Sequence, residues 1–398
     1  MTNNARLLMV SFDAVGDQDI DLLLTQPNFS ELCRRGTLVR EVSSIFVSNT
    51  YPTHTTIQTG VLPKTHGIVD NVFQAPSVKR DKWRFEVNHI RVKTLPGEAK
   101  RAGKTVCSVL FPVTGGSPDI RYNFVEIAGE RPVFERIFFM LRYGSTGFVL
   151  SALLRFLHLM ATKDPAGLDR FTSAVACDAI KRKKPDLTMV HLLEADYEKH
   201  HFGPDSPQAK AAVIQLDIRL GELLESLDRA GLSDSTSILV FSDHNCRNVH
   251  TNVWPNDILK NYGLPFSAAY FHTAGGCCFL KVYDQQKKSE AAAFVEKFLS
   301  EPSVQRLLTL HEMQESGGDQ EFDYGFAAAD GFCFGEFERG QHGYPLDRDH
   351  YHTFYLAAGK NVPQGEVKTG GSLLNICPLA ADLLEIEPWP MEGKNLVF

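Results

Sequence analysis

Three short apolar runs, each ending at an aspartate, constrain this chain more than any other feature. The first reads Leu8-Met9-Val10-Ser11-Phe12-Asp13. The second reads Val190-His191-Leu192-Leu193-Glu194-Ala195-Asp196, and the third Leu239-Val240-Phe241-Ser242-Asp243-His244. Runs this short, with little polar alternation, fit strands buried on both faces, as parallel sheets require. Helical patterns lie between them at residues 26–36, from about 53, and at 95–102, 168–183 and 206–230; Gly36, Gly103 and Gly231 read as stops. Further strands are expected at 37–44, 105–111, 277–283 and 351–358, and further helices at 290–299 and 373–384. The alternation predicts an α/β fold, a three-layer α/β/α sandwich whose mostly parallel central sheet carries helices on both faces. Ligands of such sheets bind beyond the carboxyl ends of the strands, so the three acidic ends should converge on one edge.

No repeat or low-complexity linker divides the 398 residues, so a single catalytic domain, 1–398, is expected. It would carry an apolar lid or cap insertion at about 119–165 and a smaller irregular excursion at about 301–340. The apolar stretch 138–161 approaches membrane-spanning length, but Arg142, Arg155 and His158 interrupt it and residues 144–147 split it. In its second half Ser151, Arg155, His158 and Thr162 form one narrow polar stripe at helical spacing. A nearly buried helix is therefore expected, with a lid or a dimer contact as the sharper alternative. The few Lys and Arg speak against an interfacial membrane helix, and no stable membrane insertion is expected. A homodimer stays open. A net charge of -7 leaves no general footprint for a nucleic acid polymer. The apolar run 7–10 is too short for a secretory segment, and the eight scattered cysteines form no CxxC pair. A cytoplasmic location is the expectation.

A lone aspartate after a strand is ordinarily a helix cap. Three brought together repel one another unless cations neutralise them, and here His200 follows Asp196 by four residues while His244 adjoins Asp243. Mixed Asp and His ligands suit zinc, whereas all-oxygen sites suit magnesium or calcium. A hydroxyl nucleophile is expected on Val47-Ser48-Asn49-Thr50-Tyr51-Pro52-Thr53-His54. Pro52 suits the first turn of a helix, and Thr50 falls just ahead of it, where backbone N–H groups favour an anionic phosphate. Coordination to a cation would lower the pKa of the threonine hydroxyl. By itself the same threonine also reads as a plain N-cap.

Together these segments resemble the alkaline phosphatase superfamily, specifically its nucleotide pyrophosphatase/phosphodiesterase branch. The most specific piece is Asn49-Thr50-Tyr51-Pro52-Thr53-His54 followed by Thr59-Gly60-Val61-Leu62-Pro63-Lys64-Thr65-His66-Gly67-Ile68-Val69-Asp70-Asn71. Asp13, the Asp196/His200 pair, Ser242-Asp243-His244 and Gln341-His342-Gly343-Tyr344 match in order. The resemblance implies two divalent ions, Zn2+ foremost with Mn2+ as the alternative. Asp196, His200 and His342 would hold one; Asp13, Thr50, Asp243 and His244 would hold the other. His350 and His352 are nearby rivals of His342. Asn71 would donate to a phosphate oxygen, and Tyr51 would either stack on a substrate base or serve only as packing. The implied reaction is hydrolysis of a phosphodiester or nucleotide pyrophosphate, a small-molecule substrate, through a phospho-threonine on Thr50. A phosphomonoesterase or phosphonate hydrolase is the alternative within the superfamily, and a non-catalytic ligand-binding relative the alternative outside enzymes. Two divalent cations against three carboxylates and an alkoxide leave a nearly neutral site. That balance favours diesters, since a monoester would want a further cation, for which Lys64 and Arg247 are candidates. Two departures stand out: Asn245-Cys246 replaces the usual glycine-methionine after Asp243-His244, and Thr53 replaces an asparagine.

Overall fold

The three aspartate-ended runs form three adjacent strands: β1 (Arg6–Phe12), β5 (Leu187–Leu192) and β6 (Thr236–Phe241). The computed structural model describes residues 5–77, 82–129, 131–160 and 165–398. β1 lies parallel to both neighbours, with Phe12 opposite Leu192 and Ser11 opposite Phe241. Asp13 and the residues after Leu192 and Phe241 therefore leave the sheet at the same edge. β2 (Gly36–Val42), β3 (Val106–Val109), β4 (Tyr122–Phe124), β7 (Thr353–Ala358) and β8 (Glu366–Thr369) complete eight strands in the order β8-β2-β7-β6-β1-β5-β3-β4. Every pairing is parallel except those of β7, which runs antiparallel between β2 and β6.

The two-residue period of β1 sorts its side chains between two cores. Leu8, Val10 and Phe12 join one cluster, Leu7 and Met9 the other. Helices α4 (Pro165–Lys183) and α6 (Pro207–Arg229) supply the first core, through residues such as Phe171, Val175, Leu216 and Leu220. Helix α1 (Thr50–Thr59) and the helices Leu95–Arg101 and Ile376–Leu383 supply the second. This is the expected three-layer α/β/α architecture. Gly36 opens β2 instead of merely ending the preceding helix, which stops at Arg34.

The run at 277–283 does form a strand, Cys277–Val282, but outside the central sheet. It pairs antiparallel with Ala269–Thr273 and Tyr324–Ala328, and Val304–Leu307 completes a second, four-stranded sheet. The irregular excursion thus contributes two strands of this sheet. A short apolar run reports burial, not which sheet will bury it.

The apolar insertion corrects the expectation of a nearly buried helix. It folds into α2 (Val133–Tyr143) and α3 (Thr146–Phe156), followed by a short 3-10 turn, Leu157–Met160. No side chain of α2 is buried, and only Val149 and Ala152 of α3 are. Phe139 and Tyr143 pack on Phe85, while Val149 and Ala152 reach the main core. The helices cover the protein from one side, and nothing among the described residues covers their outer faces. Ala161 and Thr162, at the end of the expected stripe, lie outside the described residues. No described helix is long and apolar enough to cross a membrane.

Helix α5 (Glu194–Phe202), which follows β5, is fixed by a side chain from α4. Asp169 accepts from the backbone N–H of Leu193 at 2.8 Å and of Glu194 at 3.1 Å. These are N-terminal donors that the helix cannot satisfy itself. Asp169→Ala should cost about 1–3 kcal/mol in urea unfolding and raise amide exchange at the start of α5 ahead of the sheet.

Candidate active site

Asp196 lies in the first turn of α5 and His200 one turn later, so both face the same way. His200 Nε2 is 3.2 Å from Asp196 Oδ1, and His342 Nε2 is 3.9 Å from the same oxygen. Beside them, His244 Nε2 is 3.2 Å from Asp243 Oδ2 and 3.5 Å from Asp13 Oδ1. Within each group the facing atoms all lie within 4.8 Å of one another. The His244 and His342 rings stack with centroids 4.0 Å apart, so the two groups adjoin. The Thr50 hydroxyl is 3.4 Å from His244 Nε2. Residues spread from 13 to 342 are thereby gathered at the carboxyl edge of β1, β5 and β6.

Thr50 is the first residue of α1 and not the one before it; Asn49 takes the cap position without capping through its side chain. That side chain is engaged elsewhere. Its amide donates to Asp70 Oδ1 at 2.6 Å, and its oxygen accepts from His342 Nδ1 at 2.6 Å. Asp70 meets His272 Nε2 at 2.6 Å and accepts from the Asn71 backbone N–H at 2.8 Å. A buried relay thus runs His272–Asp70–Asn49–His342. It leaves the lone pair of His342 on Nε2, facing Asp196. His200 is set likewise, its Nδ1 lying 2.9 Å from the Gly340 carbonyl and 2.6 Å from Glu338 Oε2.

Burial and mutual repulsion make the metal-free cluster costly. Desolvation, then Asp243 and Asp196, pushes the Asp13 carboxyl well above its ordinary range. Desolvation pushes Asp243 up to about 8. Burial alone would also raise Asp196, but the His200 imidazole holds it well below the usual carboxylate range. Burial opposes charge on His200 too, yet Asp196 and Glu338 together raise it well above the ordinary imidazole value. Desolvation lowers His54 to about 3 and His342 to about 4, and drives His244 well down. Asp13 Oδ1, Asp243 Oδ2 and His244 Nδ1 are buried atoms without a hydrogen-bond partner, and Asp196 Oδ1 meets His200 Nε2. Buried carboxyl oxygens facing imidazole nitrogens are a donor set that suits borderline divalent cations such as zinc.

Asn71 accepts from the Tyr51 backbone N–H at 2.7 Å, which leaves its own amide N–H groups to donate. Tyr51 departs from the base-stacking alternative. Its ring is fully buried, edge-on to Trp83 with centroids 5.4 Å apart, and offers no open face. Its position in α1 turns it into the cluster of Ile68, Phe85 and Val125. His350 and His352 are not in the site; their carbonyls accept from Asn245 Nδ2 at 2.9 and 3.2 Å. Asn245 also exchanges hydrogen bonds with Gln18 at 2.8 and 2.9 Å. A braced loop has replaced a glycine one. Arg247 is turned away, donating to the Asp349 carbonyl at 2.8 Å and pairing with Asp330. Lys64 is exposed.

Sequence reasoning missed His191, whose Nε2 is 3.1 Å from Asp13 Oδ2, and His54, whose Nδ1 is 3.4 Å from Asp243 Oδ2. Both lay inside runs already singled out. Glu126 and Glu338 carried no sequence signal. Burial raises Glu126 to about 8, with the Tyr51 hydroxyl opposing the shift.

A family model described as type I phosphodiesterase/nucleotide pyrophosphatase matches residues 7–324. Human ectonucleotide pyrophosphatase/phosphodiesterase family member 5 is 25% identical over 248 residues, 60% of this chain and 44% of the relative. An uncharacterized pyrophosphatase/phosphodiesterase of Schizosaccharomyces pombe is 28% identical over 229 residues, 55% of this chain and 40% of the relative. These alignments span less than half the length of either relative. Among solved structures, an inactive variant of murine ectonucleotide pyrophosphatase/phosphodiesterase 5 in complex with AMP superposes with a TM-score of 0.74 at 20% identity. It covers 98% of this chain and 97% of that one, a likeness of fold.

The electrostatics set a pH response for the metal-stripped protein. Asp13, Asp243 and His200 have folded pKa values above their unfolded ones, so the stability they contribute is present at low pH and lost as pH rises through the folded values. The depressed His54, His244 and His342 act the other way, but their contribution is complete above the unfolded imidazole value of about 6.5. The melting temperature of the metal-stripped protein should therefore fall between about pH 6.5 and about pH 8, and added zinc should reverse the fall. A flat or rising profile over that window would contradict the assignment.

Proposed function

The chain belongs to the type I phosphodiesterase/nucleotide pyrophosphatase family, and on that premise we propose that it hydrolyses phosphodiesters or nucleotide pyrophosphates with Thr50 as the nucleophile. One observation carries the reading: the Thr50 hydroxyl stands 3.4 Å from His244 Nε2, against two adjoining Asp/His groups and at the N-terminus of α1.

Divalent cations held by Asp196, His200 and His342 and by Asp13, Asp243 and His244 would neutralise the carboxylates, lower the pKa of the threonine hydroxyl and polarise the phosphoryl group. Thr50 Oγ1 then bonds to phosphorus as the bond to the leaving oxygen breaks, giving a phospho-threonine ester. Attack of water on that phosphorus releases the phosphate product and restores the hydroxyl. Asn71 donates its free amide N–H to a non-bridging oxygen, where charge develops in the transition state. The Tyr51 backbone N–H is committed to Asn71 and serves to aim it. The turning away of Arg247 supports diesters over monoesters, because no arginine or lysine among the proposed ligands would balance a second phosphate charge. The murine relative is described in complex with AMP, which supports nucleotides as the substrates to test first.

Thr50→Ala should lower turnover of a nitrophenyl diester by at least about a thousandfold with an unchanged circular dichroism spectrum. Diester turnover that survives this change would reject the nucleophile. Elemental analysis should find zinc bound to the purified protein, and a chelator should abolish activity that zinc restores. Asp70→Asn, which cuts the relay behind His342, should weaken zinc at the Asp196 group about 10–100-fold in chelator competition. Equal affinity in wild type and variant would remove Asp70 from any role in orienting the imidazole.

A further inference from the structure

We infer that the outer face of the α2–α3 hairpin docks on a lipid surface bearing anionic headgroups. Val133, Phe134 and Phe138 of α2 and Leu154 of α3 are 73%, 72%, 60% and 87% exposed. Scattered apolar residues on a surface are ordinary, but these recur at helical spacing on adjoining helices. The hairpin is also basic. Few as its basic residues looked in sequence, residues 131–160 hold four arginines against a single glutamate, in a chain of net charge -7; Arg155 is paired with Asp178, which leaves Arg131, Arg136 and Arg142 to set the sign of the hairpin.

The arginines are placed as interfacial side chains are. Arg131 lies 4.6 Å over the Phe139 ring and Arg142 5.6 Å over Tyr143, with their stems along apolar surface and Arg142 exposed. Arg142, four residues after Phe138, lies on the same side of α2, whereas Arg136 is exposed on the other side and donates to the Gly129 carbonyl at 2.9 Å. Apolar side chains reaching acyl chains and guanidinium groups at headgroup level are the chemistry of a peripheral amphipathic element. The patch continues beyond the hairpin: Phe138 packs on Phe139, and a cavity of about 490 Å³ beside Phe139 is lined by Phe73, Trp83, Phe85, Glu86 and Arg131, with Arg84 paired to Glu321. Its aromatic walls suit the apolar part of an amphiphile.

Charge also decides against the alternative occupant, a second copy of the chain. A two-fold contact through this face would set the same arginine-rich patch against itself, with one glutamate per copy in 131–160 to compensate. Anionic headgroups supply the missing counter-charge. Docking of this kind does not depend on the proposed reaction.

The full chain would be floated with vesicles of phosphatidylcholine alone and of phosphatidylcholine mixed with phosphatidylserine. Binding should be at least about tenfold stronger to the mixed vesicles and should weaken with added salt. A Phe134→Ser, Phe138→Ser, Leu154→Ser variant should lose the binding while keeping its melting temperature and its turnover of a soluble diester. Arg131→Glu with Arg142→Glu should erase the preference for phosphatidylserine. Absence of binding to either vesicle would overturn the inference. So would binding that the serine variant retains, or a concentration-dependent dimer, abolished by the same serines, in a protein that ignores vesicles.

Discussion

Everything in this structure turns on the crowding of three carboxylates at one edge of a parallel sheet without lysine or arginine among them. Asp13 and Asp243 are buried, Asp196 is partly so, and the groups nearest them are imidazoles, of which burial lowers His244 and His342 while Asp196 and Glu338 raise His200. A cluster like this is stable as a charged assembly only when cations complete it. Its disposition is fixed by the in-step pairing of β1 with β5 and β6, which no side chain at the site can alter. The site is therefore a property of the sheet first and of its loops second.

The loops then perform a different task, which is orientation. His342 comes from a segment remote from the central strands, and the relay through Asn49 and Asp70 to His272 ties it to both helix α1 and the second sheet. Asn245 does the same for the loop after Asp243, linking residues 18, 350 and 352. A glycine in its place would allow freer backbone but supply no hydrogen bonds, so the departure from the family pattern replaces flexibility with bracing. The second sheet, easily taken for an appendage, holds one end of the relay.

Much of the fold was legible because burial on both faces leaves an unmistakable apolar run. The strands ending at Asp13, Asp196 and Asp243, and the helices at 95–102, 168–183 and 206–230, were readable from pattern alone to within a few residues. That the strand at 277–283 belongs to a second sheet, and that the excursion 301–340 completes it, was not readable, because antiparallel pairing between segments tens of residues apart leaves no local periodicity. The insertion misled for a related reason: an apolar helix looks the same in sequence whether its outer face meets protein, lipid or water.

By itself the sequence determined which residue types stand at the strand ends, and with the motif from Asn49 to Asn71 it determined the chemistry to expect of them. Those are local facts, carried by composition, spacing and the ends of strands. Only the tertiary structure decided that Tyr51 faces inward, that His54 and His191 join the carboxylates, and that the Val133–Tyr143 helix leaves Phe134 and Phe138 exposed while Phe139 and Tyr143 pack on Phe85. Such outcomes depend on which remote surface reaches a side chain first, and hydrophobicity, being non-directional, does not encode that choice.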